Sequence, residues 1–278
     1  MRILSGNLVD ADVTVLTASS QATNKPVTRL KNMLRSVYWE ATGKTSESVV
    51  ADLGSGTISV KAAVITGFSL TRDATVEFLH STNNSTFTSL GVIKLGTSTV
   101  GYGEGGFGEG GYGGFSPTLP LMGHVISLFF GALSSRYWKV IIKDPANVNN
   151  IRLGRWFLGT YWEPVSVDVK RKWRVDVVDE SQIGKTIVGI KSVNKRPVFL
   201  RATFSLPPLS ESDAFDNFYP IVRDFGGKRD IFLVLFPGTD LETSFLTSIY
   251  GSFDQGIAFS NLVLSNYDVG SISFSESL

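Results

Sequence analysis

Cysteine is absent from this 278-residue chain. Disulfides, thiol nucleophiles and cysteine-based zinc or iron–sulfur sites are therefore excluded. Histidine is scarce: His80 and His124 are the only two, and neither has a neighbouring acid or a spaced partner that would form a metal site or a catalytic triad. The motifs G-x-S-x-G and H-E-x-x-H are missing as well. We therefore expect a protein that is not an enzyme, with no catalytic residue, no metal ligand and no cofactor.

A strong net charge and a long apolar run are also lacking. The formal net charge is +1, with 14 basic to 10 acidic residues in 1–160 and 12 to 15 in 161–278. Neither half has the basic excess of a nucleic-acid-binding domain, so we expect no nucleic-acid partner. The longest apolar stretch, around Val125–Leu133, is interrupted by Ser127 and Gly131 and is too short to span a bilayer. The first residues lack the pattern of a secretory signal, so we expect folding in a cytoplasm without membrane insertion.

Glycine, by contrast, is abundant, and nine of the 28 glycines lie in residues 101–114, where G-x-G-x-x-G recurs, for example at Gly103–Gly108 and Gly108–Gly113. A dinucleotide-binding loop of that type needs a helix directly after the glycines. Here Pro117 and Pro120 follow instead, and Glu104 and Glu109 would repel a phosphate. The segment is therefore interpreted as a surface insertion, and two interpretations stay open: a mobile loop, or a loop that becomes ordered against a partner. The second would use the four aromatic residues of the segment as a contact surface, namely Tyr102, Phe107, Tyr112 and Phe115.

Strand-length apolar segments recur about every ten residues from Ser48 onward, with turn residues between them, which is typical of a β-sandwich or barrel. We predict a mainly β chain with two domains, a sandwich over 1–160 that carries the insertion 101–114, and a second β-rich domain over 161–278. The second domain opens with long alternating strands. One helix is expected near 210–225, with Pro220 to kink it and Gly226 to end it.

The first domain resembles a discoidin-like, galactose-binding-like β-sandwich of the jelly-roll type. The residues that carry the resemblance are Asn32-Met33-Leu34, Trp39, Asp52-Leu53-Gly54, Val64–Leu70, Arg136–Ile142 and a closing segment near Ile151–Leu158. Members of this family often bind glycans or lipids through loop tips, sometimes with calcium. No loop residue here matches a diagnostic binding motif, so no ligand residue is carried over. Trp39 is the candidate for stacking on a glycan, and the alternative is that it fills one end of the barrel.

The whole chain is similar in organisation to tail-tip proteins of long-tailed bacteriophages, in that it is cysteine-free, rich in Ser, Thr and Gly, and close to neutral. In the second half, the segment 196–238 looks like the strand–helix–strand unit of a tail-tube or distal-tail protein. This resemblance implies a structural ring or adaptor of the tail tip or baseplate, located in the virion tail and assembled in the host bacterial cytoplasm. Its partners would be copies of itself and other tail proteins, with residues 165–206 contributing to the contact between copies. The alternative function is a carbohydrate-binding module that recognises a glycan of the host cell surface.

Overall fold

A computed structural model describes residues 1–54, 58–96, 125–164, 173–185, 191–237, 244, 247–254, 256–263 and 266–277. The described residues are mainly β. Their strands, in chain order, are β1 (Arg2–Leu4), β2 (Val15–Ala18), β3 (Trp39–Glu40), β4 (Glu47–Asp52), β5 (Ser59–Thr66), β6 (Thr75–Ser81), β7 (Thr88–Lys94), β8 (Val125–Ser134), β9 (Tyr137–Lys143), β10 (Arg152–Leu153), β11 (Arg155–Gly159), β12 (Arg174–Asp179), β13 (Gln182–Lys185), β14 (Lys191–Asn194), β15 (Val198–Ser205), β16 (Leu209–Ser210), β17 (Ile231–Val234), β18 (Ser248–Phe253), β19 (Ser260–Val263), β20 (Asn266–Asp268) and β21 (Ser271–Glu276).

The chain divides into two compact units, an N-terminal unit of Gly6–Thr160 and a C-terminal unit of Met1–Ser5 with Tyr161–Leu278. The sequence predicts a first domain over 1–160. The first five residues, however, belong to the C-terminal unit and not to the first domain. The reason is long-range pairing, because β1 is hydrogen-bonded antiparallel to β17.

The N-terminal unit is an antiparallel β-sandwich. One sheet has five strands in the order β2-β4-β9-β6-β7, and the other has three in the order β11-β5-β8. Alternate residues of β4, β6 and β9 are buried, as expected for strands with one face on a core. All five residues of β11 are buried, because short 3₁₀ helices at Leu8–Asp10 and Val27–Lys31 pack against its other face.

Two of the segments that suggested the sandwich from the sequence are bonded to each other. Asp52 accepts a two-pronged pair of hydrogen bonds from the Arg136 guanidinium, at 2.7 and 2.8 Å. Asp52 also accepts from the backbone N–H of Gly54, at 2.9 Å, and Gly54 has a φ of +86° that an L side chain rarely adopts. The segments Asp52-Leu53-Gly54 and Arg136–Ile142 are therefore joined at one end of the five-stranded sheet.

The C-terminal unit contains a six-stranded antiparallel sheet in the order β1-β17-β18-β21-β15-β12, and small sheets β13-β14 and β16-β20-β19. Its core is rich in phenylalanine, and Phe204, Phe218 and Phe274 are fully buried. The helix expected near 210–225 is present, in two parts. A π-helical segment, Ser212–Phe218, continues into helix α1 (Tyr219–Asp224), with Pro220 at its start, where a missing N–H is tolerated. Gly226, at a φ of +43°, follows its end.

None of the helices in the described ranges is long and apolar enough to cross a membrane.

Candidate functional site

The structure places Trp39 in the core and not on the surface. Its side chain is fully buried, and the indole N–H donates to the backbone oxygen of Ser20 at 3.1 Å. A ring enclosed in this way has no face to offer to a sugar, so the prediction that Trp39 stacks on a glycan is wrong in this structure. The alternative interpretation, that Trp39 fills one end of the sandwich, fits its position.

The predicted contact segment 101–114 lies outside the described residues, as do Tyr102, Phe107, Tyr112, Phe115 and His124. The contact role of the four aromatic residues stays a prediction. His80 is described, at the end of β6, where its Nδ1 is 2.8 Å from the Ser135 hydroxyl oxygen. In the described part of the chain, no group of three or more His, Asp and Glu side chains is arranged to hold a metal ion.

The loops at one end of the sandwich are tied together by two buried carboxylates. At this end of the sandwich β5 finishes at Thr66, which pairs with Arg155 of β11. Glu47 accepts from the hydroxyls of Ser19 and Ser20, at 2.6 and 2.7 Å. Asp144 is fully buried and accepts from the side chain and backbone of Thr71.

The Asp144 network reaches a further loop through Asn147. The Asn147 side-chain amide donates to Asp144 at 2.9 Å and to the backbone oxygen of Ser69 at 2.6 Å. A buried carboxylate is stable only when it is paired or fully hydrogen-bonded. The loops 19–20, 69–71 and 144–147 are consequently held in one geometry, which preorganises the surface between them.

Beside these loops lies a cluster of four partly buried side chains, which we call the Tyr38 cluster: Lys25, Tyr38, Glu40 and Arg152. The Lys25 ammonium donates to the Tyr38 hydroxyl at 2.5 Å and to the Glu40 carboxylate at 2.7 Å. The Arg152 Nε is 3.1 Å from the same carboxylate. Both cations also lie over the Tyr38 ring, with Nζ of Lys25 4.2 Å and Cζ of Arg152 5.1 Å from its centroid.

Local backbone pairing brings these residues together. Strand β3, which contains Glu40, pairs antiparallel with β10, so that Arg152 lies directly opposite Glu40. The backbone N–H of Glu40 donates to the oxygen of Lys25, which places the lysine on the other side of the carboxylate. The cluster is thus assembled from two chain segments that are far apart in the sequence.

The electrostatics of the cluster keep it charged. The hydrogen bond from Lys25 holds the pKa of Glu40 below its ordinary value, against the opposing effect of burial. The same bond to Glu40, together with the bond to Tyr38, raises the pKa of Lys25. At neutral pH the cluster therefore presents an ammonium, a guanidinium and a carboxylate around one aromatic ring.

A concavity lies at the opposite end of the sandwich, where β5 begins at Ser59. It is an open cleft of about 420 Å³, lined by Gly6, Asn7, Leu8, Asp10, Ala11, Ile58, Ser59, Gly159 and Thr160. The described residues that line it include no aromatic side chain. Its carboxylate is already engaged, because Asp10 accepts from the buried Arg155 guanidinium at 2.7 and 2.5 Å and from Asn7 at 3.0 Å. Asp10 thus serves mainly to neutralise Arg155.

Sequence reasoning missed all four residues of the Tyr38 cluster. None of them forms a motif with its sequence neighbours, and the spacing between Lys25 and Arg152 carries no signal. The segment Tyr38-Trp39-Glu40 did contain a hint, because a strand of alternating burial that buries Trp39 must direct Tyr38 and Glu40 the other way.

The known proteins that this chain matches are solved structures of low sequence identity. No protein-family model matches the chain, and no curated protein matches it. Among solved structures, a family 32 carbohydrate-binding module from Clostridium perfringens, in complex with GalNAc-β-1,3-galactose, is similar over 56% of this chain and 100% of its own, at 11% identity and a TM-score of 0.40.

Two further structures give similar values. The family 32 module of NanJ from C. perfringens, in complex with galactose, covers 58% of this chain and 100% of its own, at 12% identity and a TM-score of 0.39. A chitosan-binding module from Paenibacillus sp. IK-5 covers 57% and 99%, at 13% identity and a TM-score of 0.40. Similarity at this level does not identify a ligand for this chain. Nothing in the comparisons indicates a bacteriophage tail protein, so the tail-tip role, its ring and its location in a virion stay predictions.

Proposed function

We propose that the N-terminal unit binds carbohydrate without catalysing a reaction, and that the Tyr38 cluster holds the sugar. The observation that supports this is the convergence of a half-buried tyrosine ring, two cations and a carboxylate at one end of the sandwich. A pyranose presents apolar C–H faces and hydroxyl groups at its edge. The part of the Tyr38 ring that stays exposed beside the two cations suits the first, and the charged hydrogen-bonding groups suit the second.

The chemistry of each side chain gives it a role. Lys25 and Arg152 can only donate hydrogen bonds, and Glu40, when ionised, can only accept them. A sugar hydroxyl does both, so it can bridge the carboxylate and one of the cations. With two cations to one carboxylate, the cluster tolerates neutral sugars and sugars that carry a carboxylate.

Rigid support favours binding at this place. The neighbouring loops are tied by the buried Glu47 and Asp144, so little ordering is needed when a ligand arrives. Hydrolysis would require a second carboxylate facing the first across a glycosidic bond. The Tyr38 cluster contains only Glu40, which supports binding and not cleavage.

The test is a binding measurement on the full chain against a glycan panel. Galactose, GalNAc-β-1,3-galactose and chitosan oligomers belong in that panel because they are the ligands of the structures named above or close to them. Tyr38→Ala removes the aromatic face, and we expect at least about a tenfold loss of affinity, since a stacked ring contributes on the order of 1 kcal/mol or more. Glu40→Gln keeps the shape of the side chain but loses the charge, and a loss of similar size is expected.

A matched control is available in the same unit. Tyr137 is also half-buried and also has a cation over its ring, with Cζ of Arg136 at 4.9 Å, but it lies at the other end of the sandwich. Tyr137→Ala should leave glycan affinity unchanged. Equal losses for the two tyrosine variants, or no binding of any glycan by the unaltered protein at high concentration, would contradict the proposal.

A further inference from the structure

Within the described ranges, the six-stranded sheet of the C-terminal unit has one edge with no further strand paired to it. At the β1 edge, Ile3 exchanges two backbone hydrogen bonds of 2.9 Å with Trp162, so that edge is covered in part. At the other edge, β12 pairs with β15, and no strand in the described part of the chain pairs with its outer side. An unpaired edge presents a row of free N–H and C=O groups to any strand that can approach it.

Apolar side chains follow this edge beyond the core of the unit. Val175 and Val177 lie opposite Ala202 and Leu200 of β15, on the face of the sheet that covers the core. Val175 packs against the core, whereas Val177 is 72% exposed and Val198, farther along the same face, is 48% exposed.

We infer that the open edge pairs with β12 of a second copy, in an antiparallel arrangement around a two-fold axis at Val177. The inference does not depend on the proposed carbohydrate binding. When two identical antiparallel strands continue one sheet, the two-fold axis that relates them is perpendicular to the sheet, so each side chain stays on the same face in both copies. Residues that lie opposite each other in an antiparallel pair also point to the same face. The axis therefore passes through a residue of β12 paired with its own copy.

The charged side chains of β12 decide which residue lies on the two-fold axis. Two registers pair five residues within β12, one centred on Asp176 and one on Val177. The first places the two Asp176 carboxylates directly opposite each other, which is destabilising. The second places the two exposed Val177 side chains opposite each other and Arg174 of each copy opposite Glu180 of the other, so that opposite charges meet on both sides of the axis.

A charge-reversal experiment tests this register. Sedimentation velocity of the full chain should show a dimer of twice 30.2 kDa that dissociates on dilution. Arg174→Glu alone and Glu180→Arg alone each create two like-charge pairs across the axis, and each should weaken the dimer about tenfold. A mixture of the two variants restores both pairs of opposite charges, so it should dimerise about as well as the unaltered protein.

A cross-link provides a second, independent readout. Directly opposed residues of an antiparallel pair have Cα atoms about 4.5–5.5 Å apart, within the range that a disulfide spans. Since the chain has no cysteine, Val177→Cys is a clean reporter, and mild oxidation should give a covalent dimer. Val193→Cys, on β14 and 43% exposed, is the control that should stay monomeric. A monomer at the highest soluble concentration, a ring larger than a dimer, or equal cross-linking of the two cysteine variants would overturn the inference.

Discussion

The N-terminal unit buries four charged side chains among its described residues, whereas the C-terminal unit buries one and includes four phenylalanine rings in its apolar core. Among the described residues, Arg35, Glu47, Asp144 and Arg155 are buried in the first unit, and Asp213 is the buried charge of the second. Buried charges demand partners and so fix the loops that supply them. An apolar core stabilises one face of a sheet, but it supplies no hydrogen-bond partner to the backbone N–H and C=O groups of an edge strand. The loops of the N-terminal unit are thus held by buried charges, whereas the C-terminal unit has a β12 edge with no strand on its outer side among the described residues.

The largest effect is expected from the ring core of the C-terminal unit. Phe218 is fully buried, and its ring stacks on Trp162 at 5.0 Å between centroids. Phe218→Ala should lower the free energy of unfolding of this unit by about 4 kcal/mol, because it removes buried apolar surface and leaves a cavity. Urea denaturation followed by tryptophan fluorescence measures the change.

A control lies on the same helical segment. Phe215 is 40% exposed, so Phe215→Ala should reduce the stability by about 1 kcal/mol or less. If the two variants lost the same stability, the ring core would not be what holds this unit together.

In the N-terminal unit, the corresponding change is Asp10→Ala. It leaves the guanidinium of Arg155, whose side chain is 3% exposed, without its counter-charge. We expect a loss of about 2 kcal/mol, below the ~3–5 kcal/mol of a fully buried pair, because the Arg155 guanidinium is buried whereas Asp10 is partly exposed. Thermal and urea unfolding of the unit, which contains Trp39, Trp138 and Trp156, would report it.

The matched pair in the other unit is Asp224 with Arg223, at 2.7 Å but with both side chains more than half exposed. Asp224→Ala should change the stability hardly at all, because water already solvates both groups. An equally small effect of Asp10→Ala would remove the distinction drawn between the two units.

The smallest effect concerns pH. Because the pKa of Glu40 is held below its ordinary value of 4.5, the ion pair with Lys25 contributes stability that is fully present above pH 4.5. That contribution is lost as the pH falls through the lowered pKa of the folded state. The difference in melting temperature between the unaltered protein and Glu40→Gln should therefore stay constant from neutral pH down to about 4.5 and shrink below it. A difference that already shrinks near neutral pH would contradict this assignment.

Much of the fold follows from local patterns. Alternating apolar residues and turns at regular spacing predict the sandwich, because a strand with one buried face repeats every two residues. The Asp52-Leu53-Gly54 segment adds to this only through its resemblance to discoidin-like domains. The helix near 210–225 follows from its apolar spacing and its stop at Gly226. The site does not follow in the same way. The sequence leaves open whether Trp39 is exposed or buried, and only the folded structure shows that it is buried. The partly exposed ring is that of Tyr38, one residue earlier.

The sequence by itself determined that this chain is mainly β, that its chemistry excludes thiols, and that it changes character after residue 160, since composition and periodicity are local properties. Only the tertiary structure decided that β1, at the start of the chain, completes the C-terminal sheet, that Arg152 meets Glu40, and that β12 has no described strand on its outer side. These outcomes depend on which distant strands pair and which side chains are thereby removed from water. Long-range pairing and burial are properties of the whole folded chain, and no window of neighbouring residues contains them.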